Sequence, residues 1–228
     1  MHIFLFWPRL ALSIAAVAVI LVAAPVLWAL GMGGGRMQRA LVDVDGVLAN
    51  FVGGALAIVN NMLGTRYVSE EVTGFDFCAA LGLPRDVAAA VKRAIGATRG
   101  FAAGLDVLPG ALDGMRRLQQ IAEVYIVTSP WNSNATWTHE REAWLHKHFG
   151  IAHSRVIHTS AKHICAGDLL VDDKTETCAA WRSAHPRGVA VQWRTAHNRR
   201  DAWDGLSTGD WDGLLDIVDG AASQSGAA

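Results

Sequence analysis

Short apolar segments alternate with longer amphipathic segments along most of the chain. The short segments are rich in β-branched residues, which is typical of buried strands, whereas the longer ones repeat apolar side chains at helical spacing. Strands are predicted at residues 40–44, 124–128, 155–157, 169–171 and 189–192. Helices are predicted between and after them, at residues 111–121, 136–149, 175–184 and 210–218. This alternation predicts an α/β fold: a Rossmann-like three-layer core with a mostly parallel sheet.

The stretch between the first and second predicted strands is too long for a single crossover helix. It runs from Asn50 to about Val107 and has helical patterns of its own at Phe51 to Leu63 and Pro84 to Ile95. We therefore predict a helical cap, residues 51–107, inserted after the first strand, where it would cover the active site like a lid. The core then comprises residues 37–50 and 108–220, and residues 221–228 form a flexible tail rich in Ala, Ser and Gly.

The first 36 residues form a separate hydrophobic leader. Leu10 to Leu30 is 21 residues without a charge, long enough to cross a membrane. One more arginine follows this segment than precedes it, which favours a cytoplasmic catalytic domain. The alternative is that the translation start is misassigned and the leader is not part of the natural protein. The codons of residues 33–36, Gly-Gly-Gly-Arg, could be a ribosome-binding site just upstream of Met37. The candidate start residues are Met1, Met32 and Met37. The protein is predicted to be membrane-anchored only if residues 1–36 are translated and retained.

Composition and charge exclude several classes of protein. The chain has 228 residues, of which 51% are apolar, so it can form one domain with an accessory element and is neither disordered nor collagen-like. The net charge of −1 comes from 20 basic and 21 acidic residues without a long run of one sign, so no surface for duplex nucleic acid is predicted. Cys78, Cys165 and Cys178 are widely spaced, which argues against a zinc site and a disulfide framework.

Polar side chains follow four of the predicted strands. Because the carboxyl ends of parallel strands meet at one edge of a sheet, we expect these side chains to lie close together. Carboxylate oxygens suit Mg²⁺, and a lysine with a hydroxyl can neutralise phosphoryl oxygens, so the set predicts a site for a divalent cation and a phosphate. The members, in strand order, are Asp43 and Asp45, Thr128 and Ser129, Lys162, and Asp172 and Asp173.

Each cluster has a structural alternative when it is taken alone. The first two clusters could be turns, the lysine could be a solvated charge, and Asp172-Asp173 could be the N-cap of the helix that follows. Their combination favours the catalytic interpretation.

The four clusters, in this order, resemble the motifs of the haloacid dehalogenase superfamily of phosphatases. More narrowly, the chain resembles the 5'(3')-deoxyribonucleotidases, the cytosolic type C 5'-nucleotidases. The resemblance extends over about residues 40–200. The sequence segments that show it are DVDGVLANF, LPGALDGM, YIVTSPW, HTSAKHICAGDLLVDDK and HNRR. It implies a Mg²⁺-dependent phosphomonoesterase that hydrolyses nucleoside 5'-monophosphates, with deoxyribonucleotides favoured, through an aspartyl-phosphate intermediate.

The resemblance also implies which residues perform the reaction. Asp43 would be the nucleophile, and Asp45 would protonate the leaving oxygen and then activate water. Mg²⁺ would bind the Asp43 carboxylate, the Asp45 backbone carbonyl and Asp173, with Asp172 in support.

The resemblance implies contacts to two parts of the substrate, the phosphoryl group and the base. The phosphoryl group would be held by Thr128 and Lys162, with help from Ser129 and the Gly46 backbone. Phe51 and Trp131 could stack on a base. Trp131 replaces a smaller aliphatic residue of the family, and Ser160 replaces an arginine, so the sequence leaves the base and sugar preference open.

Two other functions remain open at this point. One is a phosphatase of the same superfamily that acts on a sugar phosphate or another small metabolite. The other is a membrane-tethered binding protein without turnover, which the presence of all four motifs disfavours. The predicted partner is a small nucleotide, and the sequence does not decide between a monomer and a homodimer.

Overall fold

The computed structural model of the protein describes residues 38–225, and residues 38–218 belong to one compact unit. The predicted hydrophobic leader at residues 1–36 lies outside the described residues, as do the three candidate initiators. Among the helices that are described, none is long and apolar enough to cross a membrane. Membrane anchoring and a cytoplasmic location of the catalytic domain stay predictions.

Six parallel strands form one sheet in the order β3-β2-β1-β4-β5-β6. The strand order reverses between β1 and β4, and this switch point is where open α/β sheets bind their ligands. The predicted Rossmann-like α/β fold is thus confirmed, with a sheet that is parallel throughout these strands. The strands are β1 (Arg39–Val42), β2 (Glu123–Thr128), β3 (Val156–His158), β4 (Leu169–Asp172), β5 (Val189–Trp193) and β6 (Leu206–Thr208).

Helices cover both faces of the sheet because alternate strand side chains point to opposite sides. Ala40 and Val42 of β1 belong to the large apolar cluster, whereas Leu41 belongs to a smaller cluster that contains Trp181. These two buried clusters produce the predicted three-layer core. The helices are α1 (Phe51–Leu63), α2 (Phe77–Ala80), α3 (Arg85–Ala97), α4 (Ala111–Ile121), α5 (Trp137–Phe149), α6 (Thr175–Ala184) and α7 (Trp211–Ser225).

The helical insertion leaves the core and returns to it at nearly the same point. The Asn50 N–H donates to the Asp106 carbonyl at 2.9 Å, and the Leu108 N–H donates to the Leu48 carbonyl at 2.8 Å. Between these contacts lie α1 and α3, at the two segments with a helical pattern, and the short helix α2, which was not predicted. The Asn50 side chain starts α1 directly, since its Oδ1 accepts from the Gly53 N–H at 2.9 Å. The chain therefore enters the insertion immediately after the first motif.

Apart from α2 and from shifts of one residue at strand ends, the structure differs from the sequence prediction in β1, β6 and α7. Strand β1 ends at Val42 instead of Val44, because the Val44 carbonyl accepts from the Leu48 and Ala49 N–H groups and closes a turn. The edge strand β6 was not predicted. Its sequence, Leu-Ser-Thr, is not an apolar run because an edge strand can remain exposed, as Leu206 does at 49%. Helix α7 continues to Ser225, past the predicted end near residue 218 and into the predicted tail.

Candidate active site

Three carboxylates and one lysine meet where β1 and β4 end. The Lys162 Nζ lies 2.7 Å from Asp43 Oδ1 and 2.7 Å from Asp172 Oδ2. One carboxylate oxygen from each of Asp43, Asp172 and Asp173 lies within 4.8 Å of the others. All four side chains are buried. The first, third and fourth sequence motifs therefore form a single site, as their positions after parallel strands predict.

A tight turn after β1 brings the first motif against the fourth. Gly46 has a φ of +82°, in the left-handed region that favours glycine. A Cβ at this position would lie 2.1 Å from Asp173 Oδ2, too close for any side chain. Glycine is therefore required both by the turn and by the approach of the Asp173 carboxylate.

Asp45 has a different charged neighbour from Asp43. Its Oδ1 accepts a hydrogen bond from Arg141 Nη2 at 2.6 Å, and the Arg141 side chain is completely buried. The guanidinium carbon lies 4.9 Å from the Trp137 ring centroid and 5.8 Å from that of Trp144. Within residues 38–225, the Nε and Nη1 atoms of Arg141 have no hydrogen-bond partner. Sequence analysis missed Arg141, although its spacing from both tryptophans places it on their face of α5.

The second motif supplies a buried hydroxyl at the end of β2. Thr128 is fully buried, and its Oγ1 has no hydrogen-bond partner in the described part of the chain. Such a group is costly unless a ligand or water satisfies it, which suits a phosphate oxygen. Ser129 is exposed, and its Oγ lies 3.4 Å from the Thr159 carbonyl. The Gly46 N–H donates to the Ala49 carbonyl at 3.0 Å, so its part in phosphate binding stays a prediction.

A cavity of about 470 Å³ is lined both by the four carboxyl groups and by aromatic side chains. The three residues predicted to bind substrate, Phe51, Trp131 and Ser160, all line it. The rings of Phe51 and Trp131 are 5.5 Å apart and tilted by 31°, so they already contact each other. A base could therefore stack on an outer face of this pair and not between the two rings. Further aromatic walls come from Phe75, Phe77 and Trp137.

Two residues of the loop after β5 contact Asp173, and the sequence analysis gave them no role. His197 Nε2 lies 2.8 Å from Asp173 Oδ2, and Asn198 Nδ2 donates to the Asp173 carbonyl at 2.6 Å. They belong to the HNRR phrase that contributed to the family resemblance. That phrase was the available signal, but only the fold shows which group it contacts.

Burial disfavours ionised carboxyl groups in this site. It raises the pKa of Asp43 well above its ordinary value, although Lys162 acts in the opposite direction. Burial likewise raises the pKa of Asp172, and it raises the pKa of Asp45 against the lowering effect of Arg141. For Lys162, burial alone would lower the pKa, but Asp43 and Asp172 reverse this and raise it. Lys162 is therefore a fixed positive charge.

The donor atoms and the charges fit a hard divalent cation. Four carboxyl groups, on Asp43, Asp45, Asp172 and Asp173, line the site, where Lys162 and Arg141 form ion pairs with three of them and His197 contacts the fourth. The Lys162 and Arg141 charges balance only two of the four carboxyl groups if every one is ionised. Oxygen ligands from carboxylates are those that Mg²⁺ prefers. The acidic cluster can therefore hold such an ion.

Comparison with known proteins places these features in a family. The family model described as "5' nucleotidase, deoxy (Pyrimidine), cytosolic type C protein" matches residues 36–220. The chain belongs to this family. Membership identifies it as a phosphatase of the nucleotidase class and confirms the resemblance drawn from the motifs.

Individual relatives agree with the family assignment. The human mitochondrial 5'(3')-deoxyribonucleotidase is 29% identical over 202 residues, which cover 82% of this chain and 86% of the relative. The human cytosolic type is 30% identical over 200 residues, covering 83% of this chain and 98% of the relative. Both alignments span most of each protein.

Solved structures share the fold at lower sequence identity. A haloacid dehalogenase-like hydrolase from Burkholderia xenovorans LB400 superposes with a TM-score of 0.53 at 17% identity, covering 82% of this chain and 99% of that one. A haloacid dehalogenase-type hydrolase from Bacillus subtilis, bound to magnesium, superposes with a TM-score of 0.50 at 14% identity, covering 81% of this chain and 100% of that one. These similarities confirm the haloacid dehalogenase-like fold.

Proposed function

We propose that this protein is a Mg²⁺-dependent phosphomonoesterase that hydrolyses nucleoside 5'-monophosphates, with deoxyribonucleotides as preferred substrates. The observation that carries the proposal is the position of Asp43. Its buried carboxylate contacts Lys162 and lies beside Asp172 and Asp173 at one end of an aromatic-lined cavity. In this proposal, the nucleophile, the cation site and the surface for a base would adjoin one another.

The metal would be held by carboxylates of this chain. The Asp43 and Asp173 side chains and the Asp45 backbone carbonyl would be ligands, with Asp172 in support. When bound, Mg²⁺ would neutralise charge on the phosphoryl oxygens. The Bacillus subtilis hydrolase, which shares the fold, was solved with bound magnesium.

Hydrolysis would take place in two steps. An Asp43 oxygen attacks phosphorus while the bond from phosphorus to the nucleoside oxygen breaks, and Asp45 gives that oxygen a proton. Asp45, now ionised, takes a proton from water, which attacks the aspartyl-phosphate and releases inorganic phosphate and the Asp43 carboxylate. Lys162 and Thr128 would hold phosphoryl oxygens, and Arg141 would keep Asp45 in place.

The cavity wall favours a nucleotide over a sugar phosphate. The half-buried rings of Phe51 and Trp131 offer stacking surface to a base, and base stacking on such faces contributes about 1–3 kcal/mol. A sugar phosphate would leave this apolar surface in contact with water. The preference for deoxyribose is supported by the relatives, which are deoxyribonucleotidases.

A panel of phosphate esters tests the proposal. Full-length protein is assayed for phosphate release from deoxyribonucleoside and ribonucleoside 5'-monophosphates and from sugar phosphates, with EDTA or added Mg²⁺. We expect the highest kcat/KM for deoxyribonucleotides and no turnover in EDTA. Equal or faster hydrolysis of sugar phosphates would contradict the nucleotidase assignment.

A further inference from the structure

The loop after β5 is built around the Asp173 backbone. Asn198 is 1% exposed and its Nδ2 donates to two carbonyls, that of Asp173 at 2.6 Å and that of Trp193 at 2.7 Å. Its Oδ1 accepts from the Thr195 N–H at 2.9 Å. All three contacts involve backbone groups, so Asn198 fixes the loop relative to the end of β4. The neighbouring residue, His197, is thereby placed at the Asp173 side chain.

His197 engages one specific oxygen of the Asp173 carboxylate. His197 Nε2 lies 2.8 Å from Asp173 Oδ2, and the imidazole is the donor of this hydrogen bond when the carboxylate is ionised as a metal ligand. The same Oδ2 atom lies against Gly46 on another side, where an added Cβ would be only 2.1 Å away. The carboxylate is thus restrained by two separate segments of the chain.

The other surface of His197 contacts the helical insertion. The Phe75 ring lies 6.1 Å from the His197 ring with an interplanar angle of 80°, an edge-to-face arrangement. The Lys174 Nζ lies 4.6 Å from the centroid of the Phe75 ring. Phe75 is 61% exposed, and these two contacts join it to residues on either side of Asp173.

We infer that His197 is a positioning residue that orients the Asp173 carboxylate for the divalent cation, and that Phe75 of the insertion stabilises this orientation through His197. The inference rests on the metal site of the proposed function. It adds a partner outside the ligand set and a physical connection between the insertion and the metal site. Hydrogen-bond partners of metal ligands generally fix the ligand and strengthen binding.

Mg²⁺ affinity, measured calorimetrically without substrate on the full-length chain, tests the role of His197. We expect His197→Ala to weaken Mg²⁺ binding by about 10- to 100-fold, the usual cost of losing such a partner. His197→Gln, which keeps an N–H donor, should recover most of the affinity. The matched control is His158→Ala, because His158 Nε2 also contacts a carboxylate, Glu142 Oε1 at 3.0 Å, but neither residue lines the cavity. The control should bind Mg²⁺ like the parent.

A double-substitution cycle tests the connection to Phe75. Phe75→Ala should weaken Mg²⁺ binding severalfold in the parent but cause no further loss when His197 is already alanine. Unchanged affinity in His197→Ala would overturn the positioning role, and equal effects of Phe75→Ala in both backgrounds would overturn the connection.

Failure of the proposed function gives a different result. A parent that binds Mg²⁺ but hydrolyses no nucleotide removes only the substrate assignment, and the affinities of the His197 variants still decide this inference. A parent that binds no Mg²⁺ removes both.

Discussion

Asp43 and Asp45 are separated by one residue but have different environments, and this difference predicts different mutant phenotypes. Asp43 is paired with Lys162 in the acidic cluster, whereas Asp45 is paired with Arg141. Asp43→Asn should abolish hydrolysis of every substrate, because it removes the nucleophile. Asp45→Asn should lower kcat for a nucleotide by about 10²–10⁴-fold, the usual contribution of a general acid–base group.

The leaving group separates these two roles. An aryl phosphate with a good leaving group needs little protonation, so Asp45→Asn should lose less activity on p-nitrophenyl phosphate than on a deoxyribonucleotide. Single-turnover rates on both substrates provide the measurement. Equal losses on the two substrates would argue against Asp45 as the proton donor.

Arg141 should set the pH range in which Asp45 can act as a base. Burial raises the pKa of Asp45, and Arg141 lowers it, so Arg141→Met should raise that pKa further. Asp45 must be protonated for the first step and ionised to activate water in the second, so the acidic limb of the kcat profile, like the basic limb, should move to higher pH. Arg141→Lys keeps a positive charge and should shift the limb less. An acidic limb that stays in place in Arg141→Met would contradict this role.

At the scale of elements, Glu140 joins the insertion to α5. Its Oε1 accepts from the Gly100 N–H at 2.6 Å and its Oε2 from the Ala102 N–H at 3.0 Å. Burial raises the pKa of Glu140, but these bonds and that from Thr136 outweigh it and hold the pKa below its ordinary value. Glu140→Gln should lower the free energy of unfolding by about 1.5–3 kcal/mol at neutral pH, as expected for hydrogen bonds to a charged group.

The sign of the pH dependence follows from the lowered pKa. A depressed carboxyl pKa stabilises the fold above the unfolded-state pKa, and this contribution is lost as pH falls through the folded-state pKa. The stability difference between the parent and Glu140→Gln should therefore shrink in acid. Denaturant unfolding at several pH values measures it, and a difference that stays constant into strong acid would contradict the assignment.

The elements that the sequence predicted correctly are those with a local signal. The strands β1, β2, β4 and β5 are apolar runs, and a motif directly follows each of the first three. The contacts that it missed join distant segments: Arg141 and Asp45 are 96 residues apart, and His197 and Asp173 are 24 apart. Side-chain periodicity carries no information about such pairs. The resemblance pointed to the HNRR phrase, but only the packed loop shows that it supports Asp173.

At the scale of the whole molecule, the acidic cluster links metal binding to stability. Asp172 and Asp173 each raise the pKa of Asp43 by electrostatic repulsion, so the carboxylates destabilise one another without a cation. A ligand that binds only the folded state adds about 2.7 kcal/mol of stability at a concentration 100 times its Kd. Saturating Mg²⁺ should therefore raise the Tm of the parent.

Asp173→Asn separates the cost of charge crowding from the gain on metal binding. The substitution removes one of the repelling charges and keeps an oxygen that can accept from His197, so in EDTA this variant should unfold at the same temperature as the parent or higher. It also removes a metal ligand, so added Mg²⁺ should leave its Tm nearly unchanged. Thermal unfolding of both proteins in EDTA and in Mg²⁺ provides the four values needed. A variant much less stable than the parent in EDTA would mean that Asp173 mainly supports the fold, whereas the predicted pattern would mean that the fold tolerates an unfavourable charge cluster because the cation compensates it.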